Sequence, residues 1–490
     1  MTENNGTGEA YRKLTSVLKR ASRGVTVADA VAKSALPLET VRELLPRAAD
    51  EFSGRLQVTA SGEILYSFPH GFTSRYRGFR ARAERALYAL GTGLKAAGAL
   101  LFKVWIMVML VGYFALFMLL ALGTLMLSVA GGSGRDRRRG GGAFFVSGIF
   151  DTIIRIWFYS ELLKPAGRRY AESRKRPLHR AIFSFVFGDG DPNVRGEEQE
   201  KKAVIAFIQA RRGVISMPEF AAITGYSFQE AEERITAYCV EFGGSPEVTG
   251  EGTIVYRFDE LLRRADTKDR SFGGALSGPL KRPALFSSNE KKLNVWFSVI
   301  NAANLLFGGY FFSSALRFGE IVTQKQFDAA SYFYGVVYVM SAQLLRDPLG
   351  VITIALGLVP IVFSVLFWLI PGLRFLRLKK DNEQITFENF RKESYVRIWD
   401  SPGGVDPAEF SPAAAECRPK NLPAAQDQVI KEAGVVWTPE ITVDGNGKTR
   451  YTFADLEREK RALEAYRSTV DLAAAAPGRI IFDSEGGEPV

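Results

Sequence analysis

Val104–Ala130 reads VWIMVMLVGYFALFMLLALGTLMLSVA, 27 residues without a charge, where about 20 apolar residues suffice to cross a bilayer as a helix. Asn294–Leu316 repeats the pattern over 23 residues and Pro348–Leu373 over 26. A charge near the centre of a spanning helix costs about 2.5–3.5 kcal/mol on the insertion scale, so uncharged runs of this length are selected rather than accidental. Buried helices of a soluble core seldom run this long. These three stretches predict a multi-pass α-helical membrane protein. Two further segments are ambiguous: Ala329–Leu345 has 17 uncharged residues, the short limit for a span. Ala143–Leu163 carries Asp151, Arg155 and Glu161, which suits an interfacial or re-entrant helix better than a simple crossing. The N-terminus, MTENNGTGEAYRK, lacks a basic-then-apolar leader, so the first span is expected to act as the targeting element.

The charge distribution fits that reading. The chain of 490 residues carries a formal net charge of +10, is 47% hydrophobic and 24% charged, which excludes a disordered or fibrous chain. The basic excess sits beside the apolar runs. Ser74–Lys103 sums to +6, Arg135–Arg139 to +3, Lys164–Arg180 to +6, and Arg374, Arg377, Lys379 and Lys380 to +4. This is a positive-inside signal, and it nominates Arg75, Arg77, Arg80, Arg137, Arg138, Arg139, Arg174, Lys175, Arg176, Arg374, Arg377, Lys379 and Lys380 as contacts for anionic lipid. The expected location is the inner (cytoplasmic) membrane, with the soluble parts cytosolic.

Outside the apolar runs the chain repeats itself at an offset of 190. Gly54, Val58, Thr59, Gly62, Ile64, Tyr66 and Phe68 match Gly244, Val248, Thr249, Gly252, Ile254, Tyr256 and Phe258. Such repetition marks one module used twice. Each copy reads as an opening helix (Glu9–Ala21, Glu198–Arg211), a short helix (Val27–Ser34, Met217–Thr224) and a longer helix (Leu38–Phe52, Phe228–Phe242). Two alternating strands around a glycine turn close it. Helix, helix-turn-helix and β-hairpin make a winged-helix arrangement. A third, degraded copy starts at Gly404–Phe410 and ends in PEITVDGNGKTRYTF at Pro439–Phe453, with Pro407, Pro412, Pro419 and Pro423 interrupting its middle.

The fold class is thus a multi-pass α-helical membrane protein with three α+β winged-helix cytosolic modules. The domain plan is module 1 at 9–70, a basic amphipathic helix with a transmembrane or re-entrant region at 75–163, and a basic juxtamembrane segment with a turn at 164–196. Module 2 follows at 197–262, a linker at 263–290, a second transmembrane region at 291–380, module 3 at 386–455, and a C-terminal helix and tail at 456–490.

Charge also decides what the modules bind. A phosphate-binding helix needs lysine and arginine, yet Gly213–Leu262 holds nine acidic residues and two arginines. That surface repels DNA and favours protein contact, with Glu230, Glu232 and Glu233 as partner-binding candidates. The protein's own basic juxtamembrane segment at Lys164–Arg180 is one candidate partner, and self-association another.

Phe183–Asn193 reads FSFVFGDGDPN. Asp189, Asp191 and Asn193, with Glu200, follow calcium-loop spacing, but Val194 sits where the loop needs glycine. The simpler expectation is an Asp-Gly turn that caps a helix beginning near Glu197, and no metal site. With a module on either side and apolar runs at both ends, this motif resembles a cyanobacterial and plant-chloroplast family of envelope membrane proteins. Its plant members carry the label "iron-sulfur cluster biosynthesis family protein". The likeness runs from about Gly24 to Lys380, through FPH at Phe68–His70 and Tyr256–Phe258. It implies an integral inner-envelope or inner-membrane protein that, in plants, accompanies the import machinery. The iron–sulfur label finds no support, because Cys239 and Cys417 are the sole cysteines and a cluster needs about four ligands.

Two histidines, His70 and His179, and the absence of P-loop, G-x-S-x-G, CxxC and HExxH patterns leave no catalytic constellation and imply no cofactor. Asn301 and Asn304, three apart on one face of an apolar run, suit helix-to-helix bridging more than a transport path. The expected role is a membrane scaffold or regulatory adaptor. The runners-up are a membrane-tethered DNA-binding regulator and a small transporter or channel.

Overall fold

The computed structural model describes residues 3–21, 24–75, 79–130, 176–265, 276–319, 329–412, 414–443, 447–472 and 478–485. The chain divides into two compact units. One combines Met1–Arg85, Asp191–Pro283 and Lys380–Val490; the other combines Ala86–Gly190 and Ala284–Lys379.

In the first unit, three stretches of chain far apart in sequence share one hydrophobic core. The N-terminal stretch forms helices Glu3–Leu18, Val27–Ser34 and Leu38–Glu51, then a hairpin of strands Arg55–Thr59 and Ile64–Ser67. Leu38, Val41, Leu44 and Leu45, the apolar positions at helical spacing, are all buried. The middle stretch forms helices Gly196–Ala210, Met217–Thr224 and Phe228–Phe242, then strands Ser245–Val248 and Ile254–Arg257. The two hairpins have one register: Val58 faces Ile64 and Leu56 faces Tyr66, as Val248 faces Ile254 and Pro246 faces Tyr256. Their turns need glycine, with φ of 82° at Gly62 and 87° at Gly252. At Gly244 an added Cβ would lie 2.4 Å from the Phe258 ring, so only glycine lets helix and hairpin close together there.

The C-terminal stretch departs from the expected module. Its short helix shrinks to a 3₁₀ turn at Pro407–Glu409, because proline supplies no N–H to an α-helical ladder. The long helix Leu422–Val436 and a hairpin of Glu440–Val443 with Thr449–Thr452 remain. Val405 bridges to Tyr451 as Val25 bridges to Tyr66. Residues 456–490 were expected to be helix and tail only. Helix Ala454–Thr469 forms, but the tail adds strand Ile480–Asp483, which joins the first hairpin as a third strand.

The second unit is apolar. Among the described residues, three helices are long and apolar enough to cross a membrane: Gly93–Thr124, Lys291–Leu316 and Pro348–Asp400. The first long apolar run does not turn back on itself within Ala97–Ala130. Phe79–Met107, a π turn at Val108–Gly112 and Tyr113–Ala130 run on without reversal. Over its described residues, Ala329–Ala342 is a helix of 14 residues, about 21 Å at 1.5 Å per residue. Pro360 lies directly after a π turn at Ile352–Leu358, a local widening that suits its missing donor. Asn301 Nδ2 donates to the Ser364 carbonyl at 3.0 Å and Asn304 Nδ2 to the Leu110 carbonyl at 2.8 Å, so both asparagines bridge helices. Phe117, Phe307, Phe311 and Tyr334 fill the core between them. The segment Ala143–Leu163 lies outside the described residues.

Candidate functional site

A groove of about 1050 Å³ opens in the first unit. Its walls come from the middle and C-terminal stretches: helix Phe228–Phe242 and the Glu251–Ile254 turn on one side, and helices Leu422–Val436 and Ala454–Thr469 on the other. Ser227 caps the first helix, its Oγ accepting from the Glu230 N–H while the Glu230 carboxylate accepts from the Ser227 N–H. That cap fixes where Phe228 enters. The Phe228 ring stacks on Tyr395 with centroids 4.3 Å apart and meets Trp437 edge-on at 4.8 Å, making a buried aromatic floor.

The rim is acidic and partly apolar. Glu232, Glu251, Glu432, Asp455 and Glu459 line the groove against a single cation, Arg458. Glu432 is already engaged, accepting from Arg391 at 2.9 Å and from the Tyr395 hydroxyl at 2.7 Å. Glu459 accepts from Trp437 Nε1 at 2.9 Å; burial nonetheless holds its carboxyl above the ordinary glutamate range. Glu232 and Glu251 are exposed at the mouth. Ile254 and Val435 beside them are 54% and 87% exposed, an apolar edge next to negative charge. Such a surface is net acidic with an apolar edge and disfavours phosphate.

The predicted partner residues therefore separate. Glu232 lines the groove; Glu230 is spent on the helix cap and lies 4.0 Å from Arg391; Glu233 is exposed outside the lining. The other wall, from the degraded third region, was not foreseen. Its signal in the sequence is the Val435–Val436–Trp437 run that ends a helix otherwise patterned for one buried face.

The calcium-like spacing also comes apart. Burial raises the Asp189 carboxyl, but hydrogen bonds from Ser288 and Ser184 and the Arg176 guanidinium outweigh it and hold the group well below the usual carboxylate range. Asp191 accepts from the Asn193 N–H at 2.8 Å, and Asn193 pairs through its amide with the Arg282 backbone. Glu200 accepts from the Tyr226 hydroxyl at 2.9 Å. The expected cap is corrected as well. The helix starts at Gly196 after Arg195, with no side-chain cap from either aspartate. Among the described residues, no three His, Cys, Asp or Glu side chains gather as a metal site. Burial pushes the Cys239 thiol up to about 11 and the Cys417 thiol up to about 12, so neither is a ready thiolate ligand.

Of the proposed lipid contacts, Arg75, Arg377, Lys379 and Lys380 are exposed, and Arg176 pairs with Asp189 at 2.7 Å. Arg374 serves another purpose: it donates to the Phe185 and Phe286 carbonyls and lies 4.4 Å over the Phe286 ring. The side chain of Arg80, and all of Arg77, Arg137, Arg138, Arg139, Arg174 and Lys175, lie outside the described residues.

No family model matches the chain, and no solved structure does. The chain is similar to the uncharacterized chloroplastic protein At5g03900 of Arabidopsis thaliana, 25% identical over 424 residues that cover 81% of this chain and 75% of the plant protein.

Proposed function

We propose that the chain is an integral membrane scaffold whose three hairpin-bearing regions are copies of one winged-helix module, turned from nucleic acid to protein partners. The observation that carries this reading is the fate of helix Phe228–Phe242. In a DNA-binding winged helix this element would present cations to the major groove. Here its first turn packs on Trp437 and Tyr395, and its acidic Glu232 faces a groove closed by the third region. The copies share more than their hairpin register: in each of the first two, a carboxylate three residues past the N-cap (Asp29, Glu219) accepts from the N-cap N–H. Similarity to a chloroplastic plant protein and three long apolar helices agree with an organellar or bacterial inner-membrane site. On this reading the three hairpin regions, which belong to one compact unit, share one side of the membrane, and an even number of crossings would separate each pair.

Two measurements test the proposal on the full chain in nanodiscs. Single cysteines at the exposed positions Lys19 and Glu233 are expected to label from the same side; labelling from opposite sides rejects the topology. A fluorescent Lys/Arg-rich amphipathic peptide is expected to bind in a salt-sensitive way and to lose affinity in Glu232→Lys. Nanomolar binding of duplex DNA instead would establish the regulator reading.

A further inference from the structure

The C-terminal strand points to a second interaction surface. Ile480–Asp483 pairs antiparallel with the outer edge of Arg55–Thr59, Gln57 facing Asp483 and Val58 facing Phe482. The Ala60 N–H donates to the Arg479 carbonyl at 2.7 Å and the Ser484 N–H to the Leu56 carbonyl at 2.9 Å. Asp483 supplies the specific contact. Its carboxylate accepts from Arg55 Nε at 2.9 Å and from Gln57 Nε2 at 2.8 Å.

What the strand lacks is burial. Ile480, Ile481 and Phe482 are 38%, 54% and 58% exposed, so its apolar side chains contribute little to holding it, and its release uncovers little new surface. A short ladder held by a partly solvated ion pair belongs to the low-stability end of a fold, where local opening is frequent.

The other two hairpins show what makes this edge special. In the second, Pro246 stands where the first has Leu56, each facing the hairpin tyrosine, and proline offers no N–H to an incoming strand. Leu56 has that N–H, which donates to Ser484 Oγ at 3.0 Å. The positions corresponding to Arg55 and Gln57 are Ser245 and Glu247 in the second hairpin, and Glu440 and Thr442 in the third. Neither offers a cation to an aspartate. Only the first edge combines an open donor with an aspartate receptor.

We propose that the edge Arg55–Thr59 is a binding site for an extended segment of a partner protein, apolar residues followed by aspartate, which adds as a strand. The chain's own residues 479–484 occupy it as a displaceable cap. The tethered tail competes at an effective concentration in the millimolar range, so the partner engages when it outbids or sequesters the tail.

The test uses the full chain and a variant ending at residue 472, both in nanodiscs, with a fluorescent peptide of sequence Gly478–Glu485. Saturable binding to the shortened chain and binding at least about tenfold weaker to the full chain are expected, as for an intramolecular competitor. Arg55→Ala in the shortened chain, and the Asp483→Ala peptide, are each expected to lose affinity about five- to tenfold, a typical worth for a charge-assisted contact. Equal binding to both chains, no binding to the shortened chain, or indifference to Arg55→Ala would overturn the proposal. A second variant guards against misfolding of the shortened chain. Leu56→Pro in the full chain imports the second hairpin's proline and is expected to speed hydrogen exchange at residues 480–484 while leaving Ile64–Ser67 protected. Exchange at 480–484 as slow as in the hairpin, before and after that substitution, would also refute a displaceable cap.

Discussion

Asp29 and Glu219 stand 190 residues apart at matching places, three residues past the N-cap of a short buried helix, and the surroundings treat them differently. Glu219 meets Arg467 from the C-terminal helix in a two-pronged contact of 2.9 and 2.6 Å, and the two side chains are 2% and 4% exposed. Arg467 also donates to the Val214 carbonyl at 2.8 Å. Asp29 meets Arg264 at 3.4 Å, with the arginine 23% exposed, and accepts the Ala265 N–H at 2.9 Å. One local motif has thus become a sealed tie to a distant helix in the second region and a looser latch to a following loop in the first. The difference teaches that a repeated cap fixes a helix start, while the partner arriving from elsewhere decides how much stability hangs on it.

The largest expected effect breaks the sealed tie. Arg467→Ala leaves Glu219 charged and buried without its partner, which typically costs about 3–5 kcal/mol; chemical denaturation of the detergent-solubilised chain measures it. Arg264→Ala is expected to cost about 1 kcal/mol or less, because the pair is partly solvated and the Ala265 N–H still serves Asp29. Equal losses in the two variants would erase the contrast.

Next in size is the cap itself. Thr26→Ala removes the hydroxyl that accepts the Asp29 N–H at 3.2 Å, and Ser227→Ala removes the one that accepts the Glu230 N–H at 3.3 Å. Each is expected to cost about 1 kcal/mol, alike in both regions because the cap is local. The same denaturation midpoints report it.

The smallest effect is at Glu459 in the groove, a site only the second and third regions build together. Burial raises its carboxyl, so folding favours the protonated form. That contribution is complete below the ordinary glutamate pKa and is lost as pH rises through the raised value. Glu459→Gln keeps an acceptor for Trp437 and removes the charge. It is therefore expected to stabilise the protein slightly at pH 7 and to flatten its stability between pH 4 and 7. Thermal melts at those two pH values check it; an unchanged slope would contradict a raised carboxyl.

Much of the fold was legible in the residues. The helices Val27–Ser34, Met217–Thr224 and Phe228–Phe242 fall where apolar spacing and caps put them, and both hairpins follow their glycine turns. These are local decisions, set by propensity, capping and φ, within a dozen residues of chain. The groove and the strand exchange were not legible. Glu232 could be read as exposed and acidic, but its facing wall at Val435–Trp437 lies some 200 residues away in a region whose prolines interrupt the pattern.

By itself, then, the sequence determined the three long apolar helices, the placement of basic charge beside them, and the acidic character of the second region, because hydropathy and charge act through composition and short periodicity. Tertiary structure alone decided that three distant stretches share one core, that Arg467 seals Glu219, and that Ile480–Asp483 completes the first sheet. Those choices rest on contacts between residues hundreds of positions apart, where several sites of similar chemistry compete and only the packed chain selects among them.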